Sequence, residues 1–130
     1  MMMNQNQTLE QRFAIGLENL AKIDGEQGQR VIDALKDIAP DMAQYVIGFG
    51  FGEIYARKGL ELRAREIATI SALCALGTIP QLKVHIAASI NIGITREEII
   101  EVFIQMALYC GFPKALNAIF AAKEVFDELG

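Results

Sequence analysis

Leu76-Gly77-Thr78-Ile79-Pro80-Gln81-Leu82-Lys83-Val84-His85-Ile86-Ala87-Ala88-Ser89-Ile90-Asn91-Ile92-Gly93-Ile94-Thr95-Arg96-Glu97-Glu98 holds one helix and the punctuation on both of its sides. Gly77 suits the position just past a helix end, where the backbone turns left-handed. Thr78 reads as an N-cap, with Pro80 shortly inside and Gln81 at the capping-box position. Gly93 closes this helix. Thr95 and Glu98 form a second capping box, and the acids at 97 and 98 suit the positive end of the next helix. Within the quoted helix Gln81, His85 and Ser89 recur every four residues and share one stripe. Leu82, Ile86 and Ile90 form the opposite, apolar stripe. Such a helix can anchor on its dry side while His85 faces a cleft.

The same signals extend outward in both directions. Thr8 with Gln11 opens a helix running to about 23, with Leu9, Phe13, Leu17 and Leu20 as its apolar stripe. After a turn at Asp24-Gly25, a second helix covers roughly 26–38, with Val31, Ile32, Leu35 and Ile38 at helical spacing. Pro40 interrupts it, and a third helix runs from 41 to about 57. Gly48, Gly50 and Gly52 lie inside that helix; close approach of another backbone is the favoured reading and a bend the alternative. No phosphate loop is present, because no G-x-G-x-x-G precedes a helix. A fourth helix spans about 61–76, a sixth runs from 95 to 110 before Gly111, and a seventh runs from Pro113 to near 129. No stretch alternates with period two, so no strand is expected. The pattern predicts an all-α antiparallel bundle of six to seven helices in one domain, 1–130, with N-terminal helices at 8–38.

Composition narrows the function classes. The chain has 130 residues, 52% apolar and 22% charged, and a mean hydropathy of +0.27. A monomer of this size would leave much of that apolar area exposed, so subunit interfaces are expected. Twelve basic against sixteen acidic residues give a net charge of −4, which argues against duplex nucleic acid as a partner. The opening Met1-Met2-Met3-Asn4-Gln5-Asn6-Gln7 has no apolar signal core, and no apolar run reaches bilayer length, so no membrane association is expected. Two cysteines do not make a disulfide scaffold, which points to a reduced, cytoplasmic setting. With one histidine and two cysteines, no metal site is expected.

Few polar groups fall where a helix should be dry. His85 is the sharpest candidate for proton transfer, since imidazole titrates near neutral pH; from spacing alone, a histidine hydrogen-bonded to a neighbouring helix outweighs that role. Glu66 follows Arg63 and Arg65 and precedes Ile67, Ile70, Ser71 and Cys74. It is either a solvated acid paired with a nearby base or a buried one beside a cation or imidazole. Arg57, Lys58, Arg63 and Arg65 form a basic cluster: a solvated helix junction, or a pocket whose guanidinium grips a carboxylate. Tyr109 offers a hydroxyl, although core filling is favoured for it. Cys74 is the candidate redox residue, but without C-x-x-C spacing both it and Cys110 read as packing.

These residues resemble the carboxymuconolactone decarboxylase family. The similarity rests on Gly52-Glu53-Ile54-Tyr55-Ala56-Arg57-Lys58-Gly59-Leu60, Arg63-Ala64-Arg65-Glu66-Ile67-Ala68-Thr69-Ile70, Gln81-Leu82-Lys83-Val84-His85-Ile86, Asn91-Ile92-Gly93-Ile94-Thr95 and Tyr109-Cys110-Gly111-Phe112-Pro113-Lys114-Ala115. It covers roughly 45–128. The resemblance implies an alkylhydroperoxidase D-like all-α fold assembling as a homo-oligomer, a trimer or hexamer. One branch decarboxylates 4-carboxymuconolactone, in the β-ketoadipate route of aromatic breakdown, without a cofactor. The other is a thiol peroxidase that uses a C-x-x-C dithiol with a glutamate and a histidine as proton relay. Glu66 and His85 match that relay, while Thr78 and Gln81 stand at the dithiol positions, so the dithiol route is closed. Close decarboxylases carry a small polar residue at the position of Glu66. A carboxylate there must be neutralised, by Arg63 or Arg65 or by protonation, before a dianionic substrate can bind.

The expectation is therefore a cofactor-free carboxy-lyase for a small anionic organic substrate. His85 and Glu66 would be catalytic, and Arg57, Arg63, Gln81 and Tyr109 would bind substrate. The alternatives are a thiol oxidoreductase using Cys74 or Cys110 and a non-catalytic family member.

Overall fold

The computed structural model describes residues 7–130, so the methionines and most of the polar segment read for a signal core lie outside the described residues. Among the described residues there are seven α-helices, one π-helical segment and no strand. They form two compact units, 7–62 and 63–130. No helix is long and apolar enough to cross a membrane.

The first unit contains α1 (Leu9–Ile23), α2 (Gly25–Leu35), α3 (Pro40–Tyr45) and a π-helical segment (Val46–Ile54). The capping box that opens α1 forms as read: the Gln11 amide donates to Thr8 Oγ1 at 3.1 Å, and the Thr8 amide to Gln11 Oε1 at 2.8 Å. The buried face of α1, however, runs through Gly16, Leu20 and Ile23. Leu9 and Leu17, expected on the apolar stripe, are exposed. The cause is a backbone contact with the π segment. A Cβ on Gly16 would collide with the Ile47 carbonyl, and one on Gly52 with the Arg12 carbonyl. α1 therefore turns its smallest residue, not its leucines, toward that neighbour. Gly48 and Gly50 border open space, so the close approach expected of all three glycines occurs only at Gly52.

The single helix expected over 41–57 is divided, because its second part takes wider turns. The Tyr55 amide reaches back to the Gly50 carbonyl at 2.9 Å. Asn19 Nδ2 donates to the Phe51 carbonyl at 2.8 Å, and Arg12 pairs with Glu53 at 2.6 Å. Both contacts tie α1 to the π segment. α2 stops at Leu35, short of the expected 38. Ala39, which precedes Pro40, is forced out of helical geometry (φ −151°, ψ 66°), as residues before proline commonly are. Ile38 is thereby left exposed in the turn.

The second unit contains α4 (Leu62–Leu76) from its second residue on, α5 (Ile79–Asn91), α6 (Arg96–Cys110) and α7 (Phe112–Leu129). Gly77, Gly93 and Gly111 take positive φ of 73°, 100° and 90° at the three breaks. Thr95 and Glu98 close both halves of their box at 3.1 and 3.0 Å. The box expected at Thr78 and Gln81 is not made. Thr78 Oγ1 turns back to the Leu73 carbonyl instead. Pro80, in the first turn of α5, has no N–H to cap. Ile70, Leu82, Ile86, Ile99 and Phe103 form the core with the small residues Ala118 and Ala122 of α7, which let α5 and α6 pack close to that helix. Cys74 belongs to this core, 1% exposed, with its Sγ 4.0 Å from that of Cys110. Burial, and then the neighbouring Cys110, push the Cys74 thiol from 9.0 up to about 11.

Two outcomes follow for stability. Gly16→Ala and Gly52→Ala should each lower the unfolding free energy by roughly 1–3 kcal/mol, because a backbone must move. Gly48→Ala and Gly50→Ala should stay within about 1 kcal/mol of the parent, on the stabilising side. Denaturant midpoints measured on the four variants check this, and equal losses at all four would refute the backbone contact. For Cys74, a pKa raised on folding means the folded state holds the proton more tightly. Its contribution is intact below the ordinary 9.0 and lost as the pH rises toward 11. Thermal midpoints taken from neutral pH to that limit should fall more steeply in the parent than in Cys74→Ala; parallel curves would refute the assignment.

Candidate active site

Along α4, Glu66, Ile70 and Cys74 recur every four residues and are all buried. Glu66 has no exposed surface. Its Oε2 lies 3.1 Å from His85 Nδ1, and the His85 side chain keeps 15% of its surface exposed. The polar stripe of α5 thus grades from wet to dry: Gln81 is exposed, His85 is half-buried and Ser89 is fully buried. Ser89 Oγ donates to the His85 carbonyl at 2.7 Å, so the stripe's deepest hydroxyl is satisfied within its own helix.

Burial makes this pair different from the other charge pairs of the unit. A carboxylate removed from water costs several kcal/mol unless compensated, whereas an exposed pair contributes about 0–1 kcal/mol. The contact with the His85 ring supplies the compensation. The other oxygen, Glu66 Oε1, has no hydrogen-bond partner. The arrangement can orient an imidazole, shelter it from bulk water and move a proton through it.

The other residues singled out from sequence fall as follows. Arg63 pairs with Glu98 at the start of α6, on the exposed surface. That guanidinium, together with the Thr95 cap, holds the Glu98 carboxyl below its usual range. Glu66 is therefore met by His85, and not by Arg63, whose charge is spent elsewhere. Gln81 sits one turn before His85 on α5. Tyr109 is 73% exposed on the last turn of α6. Arg57 is half-buried in the first unit, just beyond the π segment.

Reading from sequence missed the approach of Cys74 to Cys110, 36 residues apart in the chain. The available signal was positional: each cysteine lies in the last turn of a helix that ends on a glycine, Gly77 or Gly111. The first unit also holds a cavity of about 580 Å³ lined by Phe13, Tyr45, Phe49, Arg12 and Glu53. Its one guanidinium is already matched by Glu53, which leaves a mostly apolar wall unsuited to an anion.

The chain matches the model of the carboxymuconolactone decarboxylase family over residues 40–124. It is 36% identical to 4-carboxymuconolactone decarboxylase of Acinetobacter baylyi, over 93% of this chain and 91% of that one. It is 29% identical to an uncharacterized 15.0 kDa protein of Paracoccus denitrificans, over 73% of this chain and 72% of that one. It is 24% identical to nitrosuccinic acid decarboxylase of Metarhizium robertsii, over 66% of this chain and 60% of that one. With the helical fold already described, these matches show that the chain belongs to the carboxymuconolactone decarboxylase family, whose fold is of the alkylhydroperoxidase D-like helical kind.

Proposed function

We propose that this protein is a carboxy-lyase that removes carbon dioxide from a small carboxylated lactone without a cofactor. The observation that carries the reading is the fully buried Glu66 carboxyl held on His85 Nδ1 at 3.1 Å. Two of the relatives are named as decarboxylases of carboxylate-bearing compounds, which supports the reaction class.

Loss of carbon dioxide leaves an electron pair on carbon, delocalised onto the lactone as an enolate. The site must hold the departing carboxylate in place, stabilise that charge and return a proton to carbon. The His85 imidazolium delivers the proton, and Glu66 fixes the ring and shares its charge. Gln81, on the same stripe of α5, donates to the developing oxyanion. An arginine orients the carboxylate bidentately. Arg57 and Arg63 are the candidates for that role, and Arg63 would have to leave Glu98 to fill it. The dry surroundings of Glu66 strengthen its hold on the imidazole.

The same reading includes self-association. Phe112, Leu116 and Phe120 form one stripe on α7 at four-residue spacing and are 71%, 46% and 58% exposed. A row of aromatic and aliphatic groups is costly to leave in water, and a second copy would cover it.

Assayed with 4-carboxymuconolactone, His85→Ala should lose roughly 10²–10⁴-fold in kcat. Glu66→Gln, which keeps the side-chain volume, should also lose most turnover, with unchanged far-UV circular dichroism. Full turnover in either folded variant would end the assignment. Light scattering should give a multiple of 14.3 kDa for the parent and a smaller species for Phe120→Lys; a monomeric parent would exclude the interface.

A further inference from the structure

We infer that Cys74 and Cys110 form a redox-active dithiol that a low-molecular-weight disulfide converts to an intramolecular Cys74–Cys110 disulfide. This stands apart from the decarboxylase reading, since neither sulfur belongs to the Glu66–His85 pair.

Three observations carry it. First, the two sulfurs already lie 4.0 Å apart, so a local shift of the two side chains and of the helix end would bring them to the roughly 2.05 Å of a disulfide bond. Second, the two are unequally placed. Cys74 is buried in α4, whereas Cys110 is half-buried and is the final residue of α6, before Gly111 at φ 90°. One sulfur is thus fixed, while the other sits where the helix has ended and a small backbone shift disturbs few hydrogen bonds. Third, Lys114 binds the same corner. Its carbonyl lies 3.8 Å from Cys74 Sγ as acceptor, and its Nζ donates to the Ala75 carbonyl at 2.6 Å. That ammonium opposes, without outweighing, the burial and the neighbouring Cys110 that raise the Cys74 thiol.

The exposures set the order of events. The Cys110 thiol loses its proton, and its sulfur attacks one sulfur of the small disulfide. A Cys110–S–S–R bond forms, the original S–S bond breaks, and the leaving thiolate takes up a proton. Cys74 then loses its proton and attacks the Cys110 sulfur. The protein disulfide forms as the second small thiol leaves. Two protein thiols are oxidised by two electrons, and one small disulfide is reduced to two thiols. Cys74 is suited to the second step only: it is buried, and its thiol resists ionisation until a mixed disulfide stands beside it.

The test is incubation of the full-length protein with glutathione disulfide, followed by thiol counting, intact mass and a non-reducing digest. Free thiols should fall from two per chain to none. The mass should drop by two hydrogens, the Cys74 and Cys110 peptides should be joined, and dithiothreitol should reverse all three changes. Cys74→Ser should trap one glutathione on Cys110. Cys110→Ser should show neither adduct nor cross-link, its remaining thiol reacting at least tenfold more slowly than the parent's first. The proposal is overturned if the folded parent keeps both thiols while a urea-unfolded sample oxidises. A stable glutathione adduct on the parent, or a cross-link between chains, overturns it equally. Should Cys74→Ser fail to fold, the parent and Cys110→Ser still decide the matter.

Discussion

A carboxyl group with no exposed surface governs the second unit. Glu66 heads the buried stripe of α4, ahead of Ile70 and Cys74, which pack into the core. Removing its partner would leave a buried polar group without its hydrogen bond, at a cost of about 1–3 kcal/mol. No exposed ion pair of the unit approaches that value: Arg63 with Glu98 and Lys123 with Asp127 both lie in solvent. The pairing of α4 with α5 through His85 is thus more than a packing preference. It sets which face of α5 turns inward, and with it the places of Leu82 and Ile86 in the core and of Gln81 at the surface. The break at Gly77 and Thr78 must deliver α5 in that orientation, and the left-handed turn at Gly77 lets it do so.

The same burial that makes the pair expensive gives it chemical use. In water a carboxylate and an imidazolium attract by about 1 kcal/mol at contact distance, and the attraction grows as water is excluded. An imidazole held on one nitrogen by a dry carboxyl keeps its orientation and need not reorganise during a proton transfer. Leaving Glu66 Oε1 without a partner costs a further ~1–3 kcal/mol. Stability lost in this way is commonly found where a ligand or substrate is to be received.

What could be read from the chain divides along a physical line. Helix ends governed by their own residues were legible: the boxes at Thr8 and Thr95, and the glycine stops at 77, 93 and 111. Caps and left-handed turns depend on three or four neighbouring residues, all visible in sequence. Features decided by contacts distant in the chain were not. The buried face of α1 passes through Gly16 because a backbone more than twenty residues away presses there, and hydrophobic spacing favoured Leu9 and Leu17 instead. The π segment follows from the same contact, with Asn19 bound to a carbonyl on it. Arg63 and Glu66 share a stretch of α4, so their pairing looked natural, but Glu98 competes for the arginine from another helix. The Glu66–His85 pair was legible because Glu66 opens an otherwise apolar run on α4, His85 lies on the polar stripe of α5, and the family resemblance named the same two positions.

The two reactive features of the second unit are too far apart to serve one reaction. Glu66 and Cys74 lie on one stripe of α4, two turns apart, which is about 12 Å along the helix axis. A hydrogen bond spans about 3 Å, and between the two stands Ile70, which has no exposed surface and carries no proton. A thiol at Cys74 therefore has no direct route for a proton to the Glu66–His85 pair. The dithiol positions of the peroxidase branch would stand within a turn or two of that histidine on its own helix, yet here they are Thr78 and Gln81. The sulfurs have instead come together at the ends of α4 and α6, where burial and the neighbouring sulfur disfavour a thiolate at Cys74. A slow exchange that fixes two helix ends suits that environment, and a fast peroxidatic thiolate does not. Proton transfer at the Glu66–His85 pair and sulfur chemistry at the helix ends, as proposed, would thus run separately on one helical scaffold.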